Sequence, residues 1–184
     1  IQRAGLWLYH FTKAFFQKRT LYQKHLKIKQ NNGLKQPLST VKNILFLCYG
    51  NINRSAAANC IFEQKNSESH YHVQSAGFHP KDRRPADPNM VKTAQQQHVD
   101  MQHCASKTVN QEMLDIADII FVMEIEHLLT LFKSYPETQH KAYLLGSLDK
   151  EERSPLEISD PYGKTPEEYQ QCFKQITACI GNLL

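Results

Sequence analysis

The sequence lacks the long apolar segments of a membrane protein. No run approaches the roughly 20 apolar residues that a helix needs to cross a bilayer. The longest candidate, residues 6–16, is interrupted by His10, Thr12 and Lys13, and it carries no small-residue cleavage site. We therefore predict neither a transmembrane helix nor a signal peptide. We expect a cytoplasmic protein, with peripheral attachment to a membrane as an open alternative.

The sequence also lacks paired cysteines and metal-binding motifs. Its five cysteines are odd in number and include no Cys-x-x-Cys pair, and 184 residues are too many for a disulfide scaffold. We therefore expect reduced thiols. The nine histidines show no metal-ligand spacing with a cysteine pair, so we expect no metal and no cofactor. Apart from Cys48, discussed below, we expect buried structural thiols at Cys60, Cys104, Cys172 and Cys179.

Acidic residues are missing from the first 40 positions. Residues 1–40 hold eight of the 22 Lys and Arg, which leaves 14 basic against 18 acidic side chains, a net charge of −4, in the rest of the chain. Apolar and aromatic residues alternate with these bases at helical spacing, which predicts one or two amphipathic helices. Polar residues and Pro37 then predict a linker over about 30–40. We therefore divide the chain into a basic N-terminal extension, 1–40, and a domain, 41–184.

Two interpretations of this extension stay open. Basic and aromatic side chains on one helix suit an anionic membrane surface or a partner protein. Alternatively, the extension packs on its own domain or is the tail of an upstream domain, and we favour this second interpretation. Binding to nucleic acid is not expected, because no recognition motif accompanies the charge.

From position 41 onward, short apolar runs alternate with helical patterns. The apolar runs predict strands at 44–47, 118–123 and 141–145, and residues 72–75 are predicted to form a further short strand that leads into Ala76-Gly77. The other segments predict helices at 55–64, 88–97, 110–117, 125–132 and 166–184. Strands that alternate with helices imply a parallel sheet with helices on both faces, hence a three-layer α/β fold. Ligands bind such folds at the carboxyl ends of the strands.

Residues 48–55 lie at such a strand end, between the first predicted strand and the following helix. A strand, a tight loop and a helix N-terminus form an anion site, because backbone N–H groups converge there and the helix dipole favours negative charge. This setting favours the thiolate form of Cys48. The planar guanidinium of Arg54 can bind two oxygens of a phosphate. We call residues 48–55 the phosphate loop.

Three further residues of the phosphate loop fit this chemistry. The hydroxyl of Ser55 can donate to the thiolate and stabilise it as a leaving group. Gly50 lets the backbone approach the phosphate oxygens, and Asn51 tolerates a left-handed conformation. A lone Cys-x5-Arg spacing is a weak pattern, but it gains weight after a buried strand and with these residues around it.

A cysteine nucleophile also needs an acid for the leaving group, and Asp160 is the best candidate. It lies in the segment Asp160-Pro161-Tyr162-Gly163, between the last predicted strand and the last helix. Asp160 would protonate the leaving oxygen and then activate water, while Tyr162 lines an aryl slot. An Asp-Pro pair alone is an ordinary turn, so this prediction depends on the phosphate loop.

Together these motifs resemble the low-molecular-weight protein tyrosine phosphatase family. The resemblance covers about residues 42–184 and rests on motifs in family order: the phosphate loop, Ser75-Ala76-Gly77, His103-Cys104-Ala105-Ser106, residues 117–123, Leu144-Leu145-Gly146 and Asp160-Pro161-Tyr162. It implies a phosphotyrosine phosphatase I-like fold with four parallel strands, no cofactor, and hydrolysis through a phosphocysteine. The implied partner is a phosphotyrosine protein substrate.

The resemblance also implies a role for each matching residue. The catalytic residues would be Cys48 as nucleophile, Arg54 as phosphate clamp and Asp160 as general acid. Phosphate binding and support would come from the rest of the loop: Tyr49, Gly50, Asn51, Ile52, Asn53 and Ser55. Ser75 and His103 would brace the loop, and the substrate rim would comprise Phe78, His79 and Tyr162. Ile52 stands where Thr accompanies phosphoarginine in the family, so Ile favours phosphotyrosine.

The sequence departs from the family pattern at several positions. Asn53 replaces a second cysteine that can form a reversible disulfide with the nucleophile, so we expect that protection to be absent unless Cys60 or Cys104 reaches Cys48. Glu124 stands where Asp is usual. In the variable rim, 78–85, the bases Lys81, Arg83 and Arg84 suggest an acidic peptide, with a solvated loop as an equal alternative.

Two other functions remain as alternatives. A thiol-dependent arsenate reductase shares this fold and loop but needs two further redox cysteines, and Cys172 and Cys179 lie on the last helix. A docking module would bind a phosphorylated partner without turnover. The joint presence of Cys48, Arg54 and Asp160 speaks against the docking module.

Overall fold

The computed structural model describes residues 2–31, 34, 40–66 and 71–184, with the backbone alone for residues 2–11 and 13. Most of the linker predicted at 30–40 therefore lies outside the described residues. Among those described, no helix is both long and apolar enough to cross a membrane.

Four parallel strands form the central sheet. They are β1 (Asn43–Cys48), β2 (His72–Gly77), β3 (Ile119–Val122) and β4 (Ala142–Leu144), in the order β2-β1-β3-β4. In register, Cys48 at the end of β1 pairs with Gly77 at the end of β2. The chain proceeds from β1 to β2 on one side and to β3 on the other, so the carboxyl end of β1 lies at the topological switch point where ligands bind.

Helices cover both faces of this sheet, which confirms the predicted three-layer α/β fold. The helices are α1 (Gln2–Gln30), α2 (Arg54–Lys65), α3 (Pro88–Gln96), α4 (Gln111–Ile116), α5 (Ile125–Ser134) and α6 (Pro166–Leu183). Two 3₁₀ turns, Pro136–His140 and Leu145–Leu148, flank β4. Predicted caps are present: the Asp87 carboxylate accepts N–H bonds at the start of α3, and Thr165 and Glu168 form a capping box on α6.

Alternation along the strands separates two cores. Ile44 and Phe46 of β1 pack with α2, α3 and α6, while Leu45 and Leu47 pack with α4 and α5. Phe46 is fully buried and its ring stacks on Phe121 of β3 at 5.9 Å. Truncating such a side chain to alanine costs roughly 3–5 kcal/mol. These cores hold the strand ends, and therefore the phosphate loop, in place.

Within the N-terminal extension, Gln2–Gln30 form one continuous helix, α1, whose second half packs on the domain. His25, Ile28 and Lys29 are buried, and Lys29 Nζ donates to the Ser154 carbonyl at 2.5 Å. Lys18 forms an ion pair with Glu126 of α5. This arrangement agrees, for residues 21–29, with the interpretation of a helical extension packed on its own domain.

Candidate active site

The phosphate loop joins β1 to α2, and Cys48 is buried at its start. Cys48 Sγ lies 3.0 Å from Ser55 Oγ and accepts the Asn51 N–H at 3.2 Å. Ser55 Oγ also lies 3.2 Å from the Ala76 carbonyl, to which it can donate. A hydroxyl has one hydrogen, so Ser55 can turn it from that carbonyl to the sulfur when the thiol loses its proton. The Cys48 sulfur can therefore accept hydrogen bonds from both Ser55 and Asn51.

Asn51 holds the turn of the loop. Its φ of 52° is left-handed, as the sequence predicted. Its Nδ2 donates to Ser55 Oγ at 2.9 Å and to Ser75 Oγ at 3.0 Å, and its Oδ1 accepts the Lys107 N–H at 2.8 Å. Asn51 is thereby tied to α2, to β2 and to the segment that follows Met101.

Gly77, at the end of β2, allows this close packing. A Cβ at this position would lie 2.6 Å from the Tyr49 carbonyl oxygen and 3.0 Å from the Asn51 nitrogen. Because both atoms belong to the backbone, neither could move away cheaply, and only glycine fits here.

His103 is not brought to the loop. Its side chain is exposed, and no hydrogen bond joins it to residues 48–55 in the described part of the chain. The bond that the prediction assigned to this segment comes instead from the Lys107 backbone N–H, four residues further on. Any residue except proline has a backbone N–H, so no sequence pattern predicts that Lys107 donates to Asn51.

Arg54 is buried and bound to two carboxylates. Its Nη1 donates to Glu124 Oε2 at 2.6 Å and to the Ile158 carbonyl at 2.9 Å, and its Nη2 donates to Asp160 Oδ2 at 2.6 Å. Burial by itself lowers the pKa of this guanidinium, but the negative charges of Cys48, Asp160 and Glu124 outweigh it and raise the pKa above its ordinary value. Arg54 is therefore a permanent cation in a fixed orientation.

The Nε of Arg54 differs from its other nitrogens. It is buried and has no hydrogen-bond acceptor among the described residues. A buried donor without an acceptor is costly, and a phosphate oxygen would satisfy it.

Glu124 is the site residue that the prediction missed. It follows β3 by two residues, so it reaches the same sheet edge as Cys48. His127 holds it: Nδ1 accepts the Glu124 N–H at 3.2 Å, and Nε2 lies 3.6 Å from Glu124 Oε2. Burial and the charge of Arg54 lower the pKa of His127 to about 4, against opposing carboxylates, so the imidazole is neutral. The position of Glu124 directly after a buried strand was the feature of the sequence that could have identified it as a site residue.

Asp160 arrives from the loop before α6, 106 residues from Arg54. Its side chain is 42% exposed, so water can reach the carboxylate. Oδ1 accepts the Tyr162 N–H at 3.2 Å, which orients the carboxylate.

These groups surround a pocket of about 270 Å³, lined by Cys48, Tyr49, Gly50, Ile52, Asn53, Arg54, His79, Arg84, Asp160 and Tyr162. Tyr49 and His79 meet edge to face at 5.7 Å, and Tyr162 is 64% exposed at the mouth. Two larger grooves, of about 880 and 980 Å³, flank α1, but neither is lined by a phosphate-loop residue. The smaller pocket is therefore the candidate active site.

One rim residue differs from the prediction. Phe78 does not line the pocket; it packs on the α4–α5 core and stacks on His127 at 5.8 Å. Neighbouring residues of an extended chain point to opposite sides, so His79 faces the pocket while Phe78 faces inward. Arg84, in contrast, reaches the pocket: Nη2 donates to the Gly50 carbonyl, and Nε donates to the Lys81 carbonyl at 3.2 Å.

None of the remaining cysteines lines this pocket. Cys60 is buried as expected, whereas Cys104, which was also expected to be buried, is only half-buried. Cys172 and Cys179 are buried on α6, and burial raises the pKa of each thiol to about 12. Across the described residues, no group of three or more His, Cys, Asp or Glu side chains could hold a metal ion.

Comparison with known proteins agrees with this geometry. The family model described as low molecular weight phosphotyrosine protein phosphatase matches residues 43–184. The chain is 33% identical over 132 residues to the low molecular weight protein-tyrosine-phosphatase Wzb of Escherichia coli, covering 71% of this chain and 85% of that protein. It is 24% identical over 143 residues to a protein-arginine-phosphatase of Bacillus subtilis, covering 77% and 93%.

Solved structures give the same result. Vibrio vulnificus Wzb in complex with benzylphosphonate superposes with a TM-score of 0.69 at 26% identity, over 77% of this chain and 95% of that one. The fold, the order of the motifs and the family match coincide over the same residues. The chain belongs to the low molecular weight phosphotyrosine protein phosphatase family.

Proposed function

We propose that this protein hydrolyses phosphotyrosine in proteins through a phosphocysteine intermediate. The observation that carries the proposal is the convergence of Cys48, Arg54 and Asp160 on one pocket of about 270 Å³. A nucleophile, a fixed cation and a half-exposed acid are the three groups that a metal-independent phosphomonoesterase needs.

The first step forms the intermediate. The phosphate would bind at the N-terminus of α2, with Arg54 Nε as a donor and the loop N–H groups around it. It would compete with Asp160 for Arg54 Nη2, and its negative charge would favour the protonated carboxyl. Cys48 Sγ then attacks phosphorus, the bond from phosphorus to the tyrosine oxygen breaks, and Asp160 gives its proton to that oxygen.

The second step restores the enzyme. Asp160, now a carboxylate, takes a proton from water as the water oxygen attacks phosphorus. The sulfur–phosphorus bond breaks, phosphate leaves, and Cys48 is again a thiolate. The Ser55 hydroxyl, 3.0 Å from Sγ, stabilises the sulfur as it departs.

The walls of the pocket support phosphotyrosine over phosphoarginine. Tyr49, His79 and Tyr162 offer aromatic surfaces for a phenyl ring, and the apolar side chain of Ile52 lines the same pocket. A guanidinium pairs best with carboxylates, and none of these four side chains carries one. Because one relative is a protein-arginine-phosphatase, the choice must be measured.

The test compares kcat/KM for one peptide carrying either phosphotyrosine or phosphoarginine, with EDTA present. We expect a preference for phosphotyrosine that falls in Ile52→Thr, while the control Ile116→Thr, at an exposed site on α4, leaves it unchanged. Equal or better hydrolysis of phosphoarginine would overturn the tyrosine assignment, and no turnover of either peptide would overturn the enzyme assignment in favour of a docking module.

The arsenate reductase alternative is not favoured. It needs accessible thiols that relay a disulfide, and burial keeps Cys172 and Cys179 protonated on α6. Arsenate reduction coupled to thioredoxin would reverse this judgement.

We further infer that the exposed face of α1 binds an anionic membrane surface. Phe15, Phe16 and Tyr22 are exposed beside the exposed cations Arg19 and Lys27. The family match begins at residue 43, which supports treating 1–40 as an extension with its own role.

Vesicle sedimentation tests this inference. The whole chain should bind vesicles that contain phosphatidylserine more tightly than neutral vesicles. Replacing Phe15 and Phe16 with serine should weaken binding about tenfold or more, whereas the control Ile116→Ser should not. Equal binding to both vesicle types would point to a partner protein instead.

A further inference from the structure

Outside the active site, two thiols lie close together. Cys60 is on α2, and Cys104 is in the segment between Met101 and Val109 that follows α3. Their Sγ atoms are 2.9 Å apart although the residues are 44 positions apart in the sequence. We propose that Cys60 and Cys104 form a second redox site, which peroxides or disulfide compounds such as oxidised glutathione convert to a reversible disulfide.

The geometry requires little movement. A disulfide has an S–S length of about 2.05 Å, so the two sulfurs need to approach by about 0.9 Å. Rotation about the single χ1 of each cysteine can bring the sulfurs together, because Cys104 is half-buried rather than enclosed. The partners of Cys48 are Ser55 and Asn51, so the pair does not involve the nucleophile.

The two thiols have different roles. The bond from Cys60 lowers the pKa of Cys104, although burial and the carboxylates of Glu63 and Asp100 oppose that effect. The same bond, together with burial, raises the pKa of Cys60. Cys104 is also the more exposed of the two thiols, so an oxidant reaches it first; Cys104 is therefore the attacking thiolate and Cys60 the resolving thiol.

With a peroxide, Cys104 sulfur attacks one peroxide oxygen, the O–O bond breaks, and a sulfenic acid and water result. Cys60 sulfur then attacks the sulfenic sulfur, the S–O bond breaks, and a second water leaves with the thiol proton. Two thiols and one hydrogen peroxide thus give one disulfide and two waters. Two equivalents of a monothiol reverse the reaction through a mixed disulfide.

The disulfide would connect two elements that position the phosphate loop. α2 begins at Arg54 and Ser55, and the segment around Cys104 supplies the Lys107 N–H to Asn51. The Cys104 carbonyl also accepts the Ala86 N–H at 3.2 Å, which ties the rim to the same segment. The disulfide would therefore stabilise the folded site without consuming Cys48.

Peptide mapping of the Cys48→Ser chain tests the pairing, because this background removes the catalytic thiol. Oxidation by hydrogen peroxide or oxidised glutathione should remove two hydrogens from the intact mass, link the peptides of Cys60 and Cys104, and be reversed by dithiothreitol. Cys104→Ser in this background should abolish the link, while the control Cys172→Ala should keep it. Four free thiols in the oxidised, folded protein, or a link to Cys172 or Cys179, would overturn the proposal.

Thermal unfolding of the same samples gives a second readout. Closing a loop of this length should raise the unfolding midpoint by roughly 5–15 °C, and reduction should reverse the increase. An unchanged midpoint in fully cross-linked protein would overturn the conclusion that the disulfide stabilises the site.

Discussion

The phosphate loop and α1 both carry positive charge, but they hold it in opposite environments. Arg54 is buried between Glu124 and Asp160, with both ion-pair distances at 2.6 Å. Arg19 and Lys27 of α1 are exposed to solvent. A buried charge requires fixed partners, so its geometry is determined and its removal is costly. An exposed charge is screened and contributes little to stability.

The two regions also differ in their relation to the family and to the pocket. The domain from residue 43 onward matches the family and carries every residue of the pocket, whereas α1 lies before the matched region. Substitutions in the pocket should therefore change turnover by orders of magnitude, and substitutions in α1 should change binding or stability but hardly turnover.

The largest effect is expected for Cys48→Ser. A serine hydroxyl is a far weaker nucleophile than a thiolate, so kcat/KM for a phosphotyrosine peptide should fall at least about 10⁴-fold. Steady-state hydrolysis with EDTA present measures it. The control Cys179→Ala, in the α6 core, should stay within about twofold of wild type, and full activity in Cys48→Ser would remove the proposed mechanism.

A smaller loss is expected for Asp160→Ala. Without a proton donor for the leaving group, turnover of a phosphotyrosine peptide should fall about 10²–10⁴-fold. Formation of the intermediate from p-nitrophenyl phosphate should fall less, because nitrophenolate leaves without help. Rapid-mixing kinetics on both substrates check this, and equal losses of that first step would argue against a general acid at this position.

Arg54→Lys should lower kcat/KM by about 10²–10³-fold. Lysine keeps the charge but cannot bind a phosphate and two carboxylates with one planar group. Inhibition by inorganic phosphate should weaken in parallel. Arg83→Lys, at an exposed rim position, is the matched control and should stay within about twofold; a similar loss there would attribute the effect to the rim.

The smallest effect on turnover is expected from substitutions in α1. Here His25 should make the stability of the protein depend on pH. Burial lowers the pKa of His25 to about 4, despite its bond to the Leu21 carbonyl at 2.8 Å, and its Nε2 is buried without a hydrogen-bond partner in the described part of the chain. The unfolded chain binds the proton more readily. Stability is therefore complete above the unfolded pKa of 6.5 and declines as the pH falls from there toward 4.

Denaturant unfolding between pH 4 and pH 7 measures this decline, at most about 1.4 kcal/mol per pH unit for one group. His25→Gln should flatten the profile, and it should change kcat/KM at neutral pH by less than about twofold. The pKa of His127 is also about 4, so this residue should account for the pH dependence of stability that remains in His25→Gln. An unchanged profile in His25→Gln would show that α1 does not bury this side chain in solution.

The contiguous part of the site was the part that the sequence could predict. Residues 48–55 carry their chemistry at fixed spacing after a strand, and β1 and α2 formed as expected. Three of the four strands, β1, β3 and β4, were also predictable, because apolar runs buried on both faces stand out from amphipathic helices. β2 is half-exposed and its sequence is more polar. The linker at 30–40 and the division at residue 40 stay predictions.

Contacts between distant segments were harder to predict. Glu124 and Arg84 reach the site from 70 and 34 positions away, through sheet order and rim geometry that no local pattern encodes. His103 shows the converse: a motif match suggested a side-chain bond that the backbone of Lys107 makes instead. Phe78 could have been placed better, since alternation with His79 already assigns the two to opposite sides.

Trapping the covalent intermediate tests the proposed phosphocysteine mechanism most directly. Asp160→Ala mixed with p-nitrophenyl phosphate should release about one nitrophenol per enzyme in a burst, because the second step lacks its base. Acid quenching and peptide mapping should then locate the phosphoryl group on the sulfur of Cys48. A phosphoryl group on any other residue, or turnover with no covalent phosphate at all, would contradict the account.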